Sequence, residues 1–281
     1  MHGALIGARR LFGFLVLAEG STRGLALIRL GLVALLWTKW GGDFLFFLNK
    51  PTDQQLLAGA FYLSTTCLFF GIATPLAAVA AGVTQLLVYY WLGFHEGVEP
   101  YTHHHTGLLC LATALLALTP CGRSWSVDRW WAVRRAEARG LPAPPERGPL
   151  WGQRLIALQV SVVYLASASD KCSGAFLSGQ RLQHHAMTLY FGSDYPTWSW
   201  FPAVCQALAI STVILEFSLG AGLWMRRARP VLIPLGIIFH GILYMTLPVS
   251  TFSLTMWLLY LAFIDPDDLH RFVNRLGDGP R

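Results

Sequence analysis

The chain has 281 residues, of which 54% are hydrophobic and only 13% charged, and its mean hydropathy is +0.47. A water-soluble domain carries about 25% charged residues, so this composition excludes an ordinary soluble protein and points to an integral membrane chain. The net charge of +6 does not imply nucleic acid, because the basic residues lie in short segments between apolar runs; membrane lipid is the expected surrounding and no nucleic-acid partner is expected.

In chain order, Ala4–Leu17 is interrupted by Arg9 and Arg10 and reads as an amphipathic helix on the membrane surface, within an N-terminal segment 1–24, rather than as a cleaved signal. Apolar runs near the length a span requires fall near 25–46, 56–72, 74–94, 104–120, 154–171, 203–225, 230–249 and 251–267. They predict an all-α, polytopic integral membrane helical bundle of about eight transmembrane helices over 25–270, with a short tail at 271–281. The polar stretch 121–153 is a cytoplasmic loop with a short amphipathic helix around Trp125–Arg139 and an extended Leu141-Pro-Ala-Pro-Pro145 linker. With the N-terminus in the cytoplasm, fifteen of the 21 basic residues fall in inside segments and only Lys50 and Arg181 in outside ones. That bias places both termini in the cytoplasm. The five cysteines are scattered without metal-type spacing, three of them in or beside apolar runs, where a thiol is a small hydrophobe.

Ionisable groups inside spans are costly and mark functional sites. Arg29, Glu216 and His240 lie within spans, Asp170 and Lys171 close the fifth, and His103, His104 and His105 open the fourth. The chain has three lysines against 18 arginines, which sets Lys171 apart. A lysine at a span end is ordinarily a snorkelling anchor. Here the following Cys172-Ser-Gly-Ala-Phe-Leu-Ser-Gly179 is partly apolar with two glycines, suited to folding back over Lys171 and leaving it desolvated, as a general base requires. Adjacent helical histidines point about 100° apart, so the run cannot close on one ion alone. A zinc site would need His95, His184 or His185, and no metal is assigned. One of the run serves instead as a hydrogen-bond or proton partner in an extracytoplasmic cavity, or the run is interfacial polar filler. Glu216 and His240 either pair across neighbouring spans, with Arg29 as a third partner, or line the same cavity as Lys171.

The stretch Tyr164-Leu-Ala-Ser-Ala-Ser-Asp-Lys171, with Phe176-Leu-Ser-Gly179 after it, resembles the transmembrane domain of vitamin K-dependent gamma-carboxylases. That domain is shared with bacterial HTTM (horizontally transferred transmembrane) proteins. Leu25-Ala-Leu-Ile-Arg-Leu-Gly31, Ile214-Leu-Glu-Phe-Ser-Leu-Gly220, and Phe239-His240 with Phe252-Ser-Leu are similar to further stretches of the family, so the resemblance runs from roughly 20 to 270. In the carboxylases a lysine removes a proton from vitamin K hydroquinone. Oxygen converts the anion into a stronger base, which takes a γ-proton from a peptide Glu, and carbon dioxide adds to the carbanion. The resemblance thus implies Lys171 as the base, His103 or His104 as its assistant, and His240, Glu216 and Phe252 beside the cofactor. It implies reduced vitamin K or another quinol, with O2 and CO2, as cofactors.

The expected function is a membrane-embedded, carboxylase-like enzyme (of the carbon–carbon lyase, quinol-epoxidising type) in the bacterial inner membrane. It would work on its extracytoplasmic face and modify a secreted peptide or protein substrate. The carboxylases' large β-rich domain, which binds the propeptide, has no counterpart in these residues, so carboxylation of Glu is not implied. The alternatives are a non-catalytic maturation or immunity partner of a secreted peptide, and a transporter or lipid-binding bundle. Transporters show internal repeats and broken helices, and neither is clear here.

Overall fold

The computed structural model of the protein describes residues 13, 17–45, 50–97, 104–192 and 198–277, without the side chains of Leu45 and His104. The surface helix expected over Ala4–Leu17 thus falls, but for two positions, outside the described residues. Strand β1 (Glu19–Ser21) leads into α1 (Arg23–Leu36), which continues through a π-helical stretch, Trp37–Gly41, and a further turn, Gly42–Leu45. Helices α2 (Thr52–Phe70), α3 (Thr74–Leu87, prolonged by π-helical Val88–His95) and α4 (His104–Leu116) follow. Next come α5 (Val127–Glu137), strand β2 (Arg147–Pro149), α6 (Trp151–Lys171), α7 (Gly174–Leu177) and α8 (Gln180–Ala186). The chain ends with α9 (Phe201–Gly222), α10 (Arg229–Thr246), α11 (Ser250–Leu259), a 3-10 turn at Tyr260–Phe263, and α12 (Pro266–Gly277). The described residues are therefore all-helical except for the antiparallel β1–β2 ribbon, in which Gly20 faces Gly148.

Helices occupy each of the eight apolar windows, and four are long and apolar enough to cross a membrane: Arg23–Phe44, Thr74–His95, Phe201–Gly222 and Arg229–Thr246. His105–Leu116 and Ser250–Phe263 are apolar but shorter. The long helices also point apolar side chains outward. On α3, Leu76, Val79, Val83 and Leu86 are all exposed, and on α10 so are Val231, Ile238, Ile242 and Met245. Such a stripe suits contact with lipid tails rather than water. The short amphipathic helix expected around Trp125–Arg139 is α5, and the Leu141–Pro145 stretch has no regular structure. The ribbon is not legible beforehand, since three-residue strands carry too little pattern, whereas Leu269, Phe272, Val273 and Leu276 give α12 the i, i+3, i+4, i+7 spacing of an amphipathic helix.

The chain divides into two compact units, Met1–Ala157 with Phe239–Arg281, and Leu158–Ile238. In the first, α1 buries Leu25, Ile28, Leu32 and Leu36 at the i, i+3, i+4 spacing of one helix face. Gly31 lets it lie against α11: a Cβ there would stand 2.5 Å from the Leu258 side chain. The α2–α3 turn needs a left-handed backbone at Gly71 (φ +68°) and Ala73 (φ +45°). Asp128 of α5 stabilises that turn by accepting from the amides of Ala73 (2.9 Å) and Thr74 (2.6 Å), the orphan donors at the start of α3. Arg29, fully buried, donates to the carbonyls of Cys121 (2.8 Å) and Trp125 (2.5 Å). It thus holds the loop before α5, where Trp125 itself is left-handed (φ +47°). Its guanidinium fork is turned to these main-chain oxygens.

Helix α12 closes on the ribbon through charge. Arg147 Nη1 lies 2.7 Å from Asp267 Oδ1, and Asp267 also accepts from the Ser21 amide at 3.3 Å. The hydrogen bond from Arg147 is the main cause that holds the Asp267 carboxyl below its usual range, and the Ser21 amide and His270 act the same way. Because the folded value is depressed, the contribution to stability is present above the unfolded carboxylate value of about 3.9 and is lost as pH falls through the lower folded value. Thermal melts of wild type and Asp267→Asn are therefore expected to differ at pH 7 and to converge below about pH 4. A gap unchanged at pH 3 would remove the pair from the account. Both side chains are over 40% exposed, so the gap at pH 7 is expected to be small.

Candidate functional site

The second unit is built on α6 and α9, which run antiparallel with matched steps. Trp224 Nε1 donates to Ser161 Oγ at 2.8 Å. One turn further, Gly220 admits Leu165, whose side chain would lie 2.8 Å from a Cβ at that position. The next step brings Glu216 to Lys171. Lys171 Nζ lies 2.8 Å from Oε1 and 2.9 Å from Oε2 of Glu216. Ser167, four residues before Lys171 and so on the same helix face, accepts from Nζ and donates to Glu216 Oε1 at 3.2 Å. Amine, carboxylate and hydroxyl form a closed ring of hydrogen bonds between two helices. Close approach at Gly220 makes it possible, since longer side chains there would hold Glu216 out of reach.

Beyond Lys171 the chain turns back along α9, as the glycines and apolar residues after it led one to expect. Phe176 is buried against Ala209 and Val213, with Leu177 and Leu182 packed beside it. The Lys171 ammonium stands 5.9 Å from the centre of the Phe176 ring, within cation–π range. Gly179 then meets α9 backbone to backbone: a Cβ there would lie 2.4 Å from the Gln206 nitrogen, and φ is +80°. The same segment carries an open groove of about 450 Å³ lined by Ala175, Gln180, Arg181, His184 and His185. Exposure separates the two charged partners. The Lys171 side chain is 24% exposed and that of Glu216 only 6%, so Lys171 is the member a ligand reaches and Glu216 stands behind it.

Of the site residues read from the sequence, Lys171 and Glu216 are brought together. His240 and Phe252 are brought together elsewhere, in the other unit, where fully buried His240 stacks edge-on to Phe252 (5.3 Å) and Phe239 (5.2 Å) and lies 6.3 Å from Tyr260. Glu216 pairs with Lys171, which reaches the carboxylate from the end of α6. His103 lies outside the described residues, and His104 is placed only by its backbone, as the first residue of α4. Ser167 was missed, although its spacing of four from Lys171 was a signal. Among the described residues no three His, Cys, Asp or Glu side chains gather as for a metal ion.

The model of the HTTM domain matches residues 3–267, nearly the whole chain. The chain belongs to the HTTM family. An HTTM domain is related to the transmembrane domain of vitamin K-dependent carboxylases, so the fold here is that of a membrane-embedded helical domain. No curated protein and no solved structure matches this HTTM chain. The HTTM assignment covers both compact units, the Lys171–Glu216 pair and the His240 cluster included.

Proposed function

We propose that this HTTM protein is a membrane enzyme of the vitamin K-dependent gamma-carboxylase-like type, in which Lys171 is the catalytic base. The Lys171–Ser167–Glu216 ring carries the reading: a reachable amine is backed by a buried carboxylate among apolar helices. We place it on the extracytoplasmic side of a bacterial inner membrane, following the bias of arginine toward the opposite loops. The residues fit a quinol, because the pair offers a donor and an acceptor for a hydroxyl while the Phe176 ring offers an apolar wall. A reduced quinone bound there would supply a weakly acidic hydroxyl and, on its oxidation by oxygen, the strong base that modification of a peptide needs.

The chain's own part is proton handling. As paired, Nζ is a donor and cannot accept. Passage of one proton from Nζ to Glu216 Oε1 or Oε2 leaves a neutral amine with a free lone pair beside a neutral acid. The hydrogen bonds of 2.8 and 2.9 Å are that route. Ser167 keeps the amine aimed while its charge changes, and Phe176 limits the entry of water. His103 or His104 as assistant remains part of the proposal by resemblance. The groove lined by Arg181, His184 and His185 suits an acidic peptide.

The deciding experiment measures oxygen uptake on addition of a reduced quinone, for wild type and Lys171→Ala in lipid nanodiscs. Uptake by wild type that the variant lacks supports the enzyme. Uptake that survives the substitution overturns Lys171 as the base. Absence of uptake, with a secreted peptide captured equally by both forms, would favour a non-catalytic maturation partner. Labelled CO2 retained on the peptide would specify carboxylation.

A further inference from the structure

A second cavity lies in the other unit, at the end of the bundle where α3 begins and α4 has ended. It measures about 560 Å³, and its walls include Thr74, Pro75, Thr119, Pro120, Pro144 and Pro145 together with Arg123, Asp128 and Arg129. Its acidic member is already committed, since both Asp128 oxygens accept from the start of α3. Its two arginines are not. Arg123 donates one bond, from Nη1 to the Arg147 carbonyl at 2.6 Å. Arg129 donates from Nη1 to the Pro144 carbonyl and stands 3.8 Å from Glu146 through Nε. A guanidinium has five N–H donors in a fixed fork, so each retains donors beyond these. The main-chain contacts fix the forks in place, which lowers the entropy cost of binding an anion.

The surroundings say what kind of anion. Helix α5, which contributes Asp128, Arg129 and Ala132 to the cavity, exposes Trp130 (52%) and Trp131 (51%) beside one another, with ring centres 4.9 Å apart. Paired exposed tryptophans on a short helix of a membrane protein sit at headgroup depth. Proline-rich walls leave a rigid cleft with few hydrogen-bonding groups to compete for the ligand. We infer that this cavity is a binding site for the phosphate of an anionic phospholipid, gripped by Arg123 and Arg129, with Trp130 and Trp131 seated in the interface beside it. Planar arginine forks match phosphate oxygens in bidentate pairs. The site would anchor the α5 loop, and through Arg29 the middle of α1, to the lipid surface. It uses none of the residues of the Lys171 site and stands whether or not that site is catalytic.

The test uses the full chain in neutral detergent, titrated with phosphatidylglycerol, phosphatidylcholine or inorganic phosphate alone, read by thermal unfolding and by lipid retention in native mass spectra. Phosphatidylglycerol is expected to raise the melting point and to be retained, phosphatidylcholine to do neither. Arg123→Gln and Arg129→Gln are each expected to weaken phosphatidylglycerol binding about tenfold, and Arg135→Gln, on the same helix but outside the cavity, to leave it unchanged. Equal loss in Arg135→Gln would mean a diffuse charge effect and overturn the site. Protection by inorganic phosphate equal to that by the lipid would overturn the lipid as its occupant. Should Arg129→Gln fail to fold, Arg123→Gln decides alone, because it leaves every contact of Arg129 in place; unchanged binding in it overturns the proposal.

Discussion

Lys171→Ala is expected to lower quinol-dependent oxygen uptake by about 10²–10⁴-fold, the usual contribution of a positioned general base. The substitution removes the one member of the ring that a ligand reaches, and it leaves Glu216 buried with only Ser167 as a partner. The second effect complicates the first, since an uncompensated buried carboxylate also destabilises the fold. Melting and activity must therefore be measured on the same preparation. The companion Glu216→Gln separates them. It keeps the shape and a hydrogen bond to Lys171 but cannot take the proton from Nζ, so folding should persist while the rate falls with an altered pH profile. A Glu216→Gln protein with wild-type rate and pH profile would make the carboxylate a structural partner only. Lys171→Arg tests the same point from the other side, because a guanidinium keeps the charge and remains protonated. Restored stability without restored activity is the expected result.

Gly179→Ala is expected to destabilise the protein by about 2–5 kcal/mol, from two sources that add. A left-handed backbone costs a residue with a Cβ about 1–2 kcal/mol, and overpacking costs a further 1–3 kcal/mol. The new methyl would meet the backbone of α9 at Gln206 and Cys205, which cannot step aside as a flexible side chain would. The segment would have to lift from α9 and carry Phe176 off Ala209 and Val213. Lys171 would lose its cover. The same variant should therefore show faster labelling of Lys171 by a water-soluble amine reagent. An unchanged melt and unchanged labelling would show that the fold-back does not depend on this contact.

Composition and the pattern of apolar runs were enough to read a membrane-embedded helical protein, because the demand that every backbone group be bonded within lipid leaves helices as the simple solution. The eight apolar windows all hold helices, yet four meet the length and apolarity of a full crossing. Window positions are legible in hydropathy; helix lengths depend on caps such as the Asp128 contact at the start of α3, which comes from a helix some fifty residues away. The amphipathic helix α5 was legible from its local pattern, the β1–β2 ribbon was not, since its pairing joins residues with no shared local signal.

The same division runs through the functional site. By itself the sequence singled out Lys171, Glu216, Arg29 and His240, because a charged or titratable side chain in an apolar run is costly and needs a reason. It did not say which of them are partners. That choice rests on helix register and on small residues at closest approach, properties of two surfaces rather than of one segment. Gly220 against Leu165 sets α6 and α9 so that Lys171 meets Glu216. Gly31 against Leu258 seats α1 on α11, and Arg29 on that helix turns to the carbonyls of Cys121 and Trp125. Which residues carry charge into the membrane was written in the chain; which charge answers which was decided by packing, because electrostatic partnership acts over a few ångströms and only the tertiary structure brings distant residues that close.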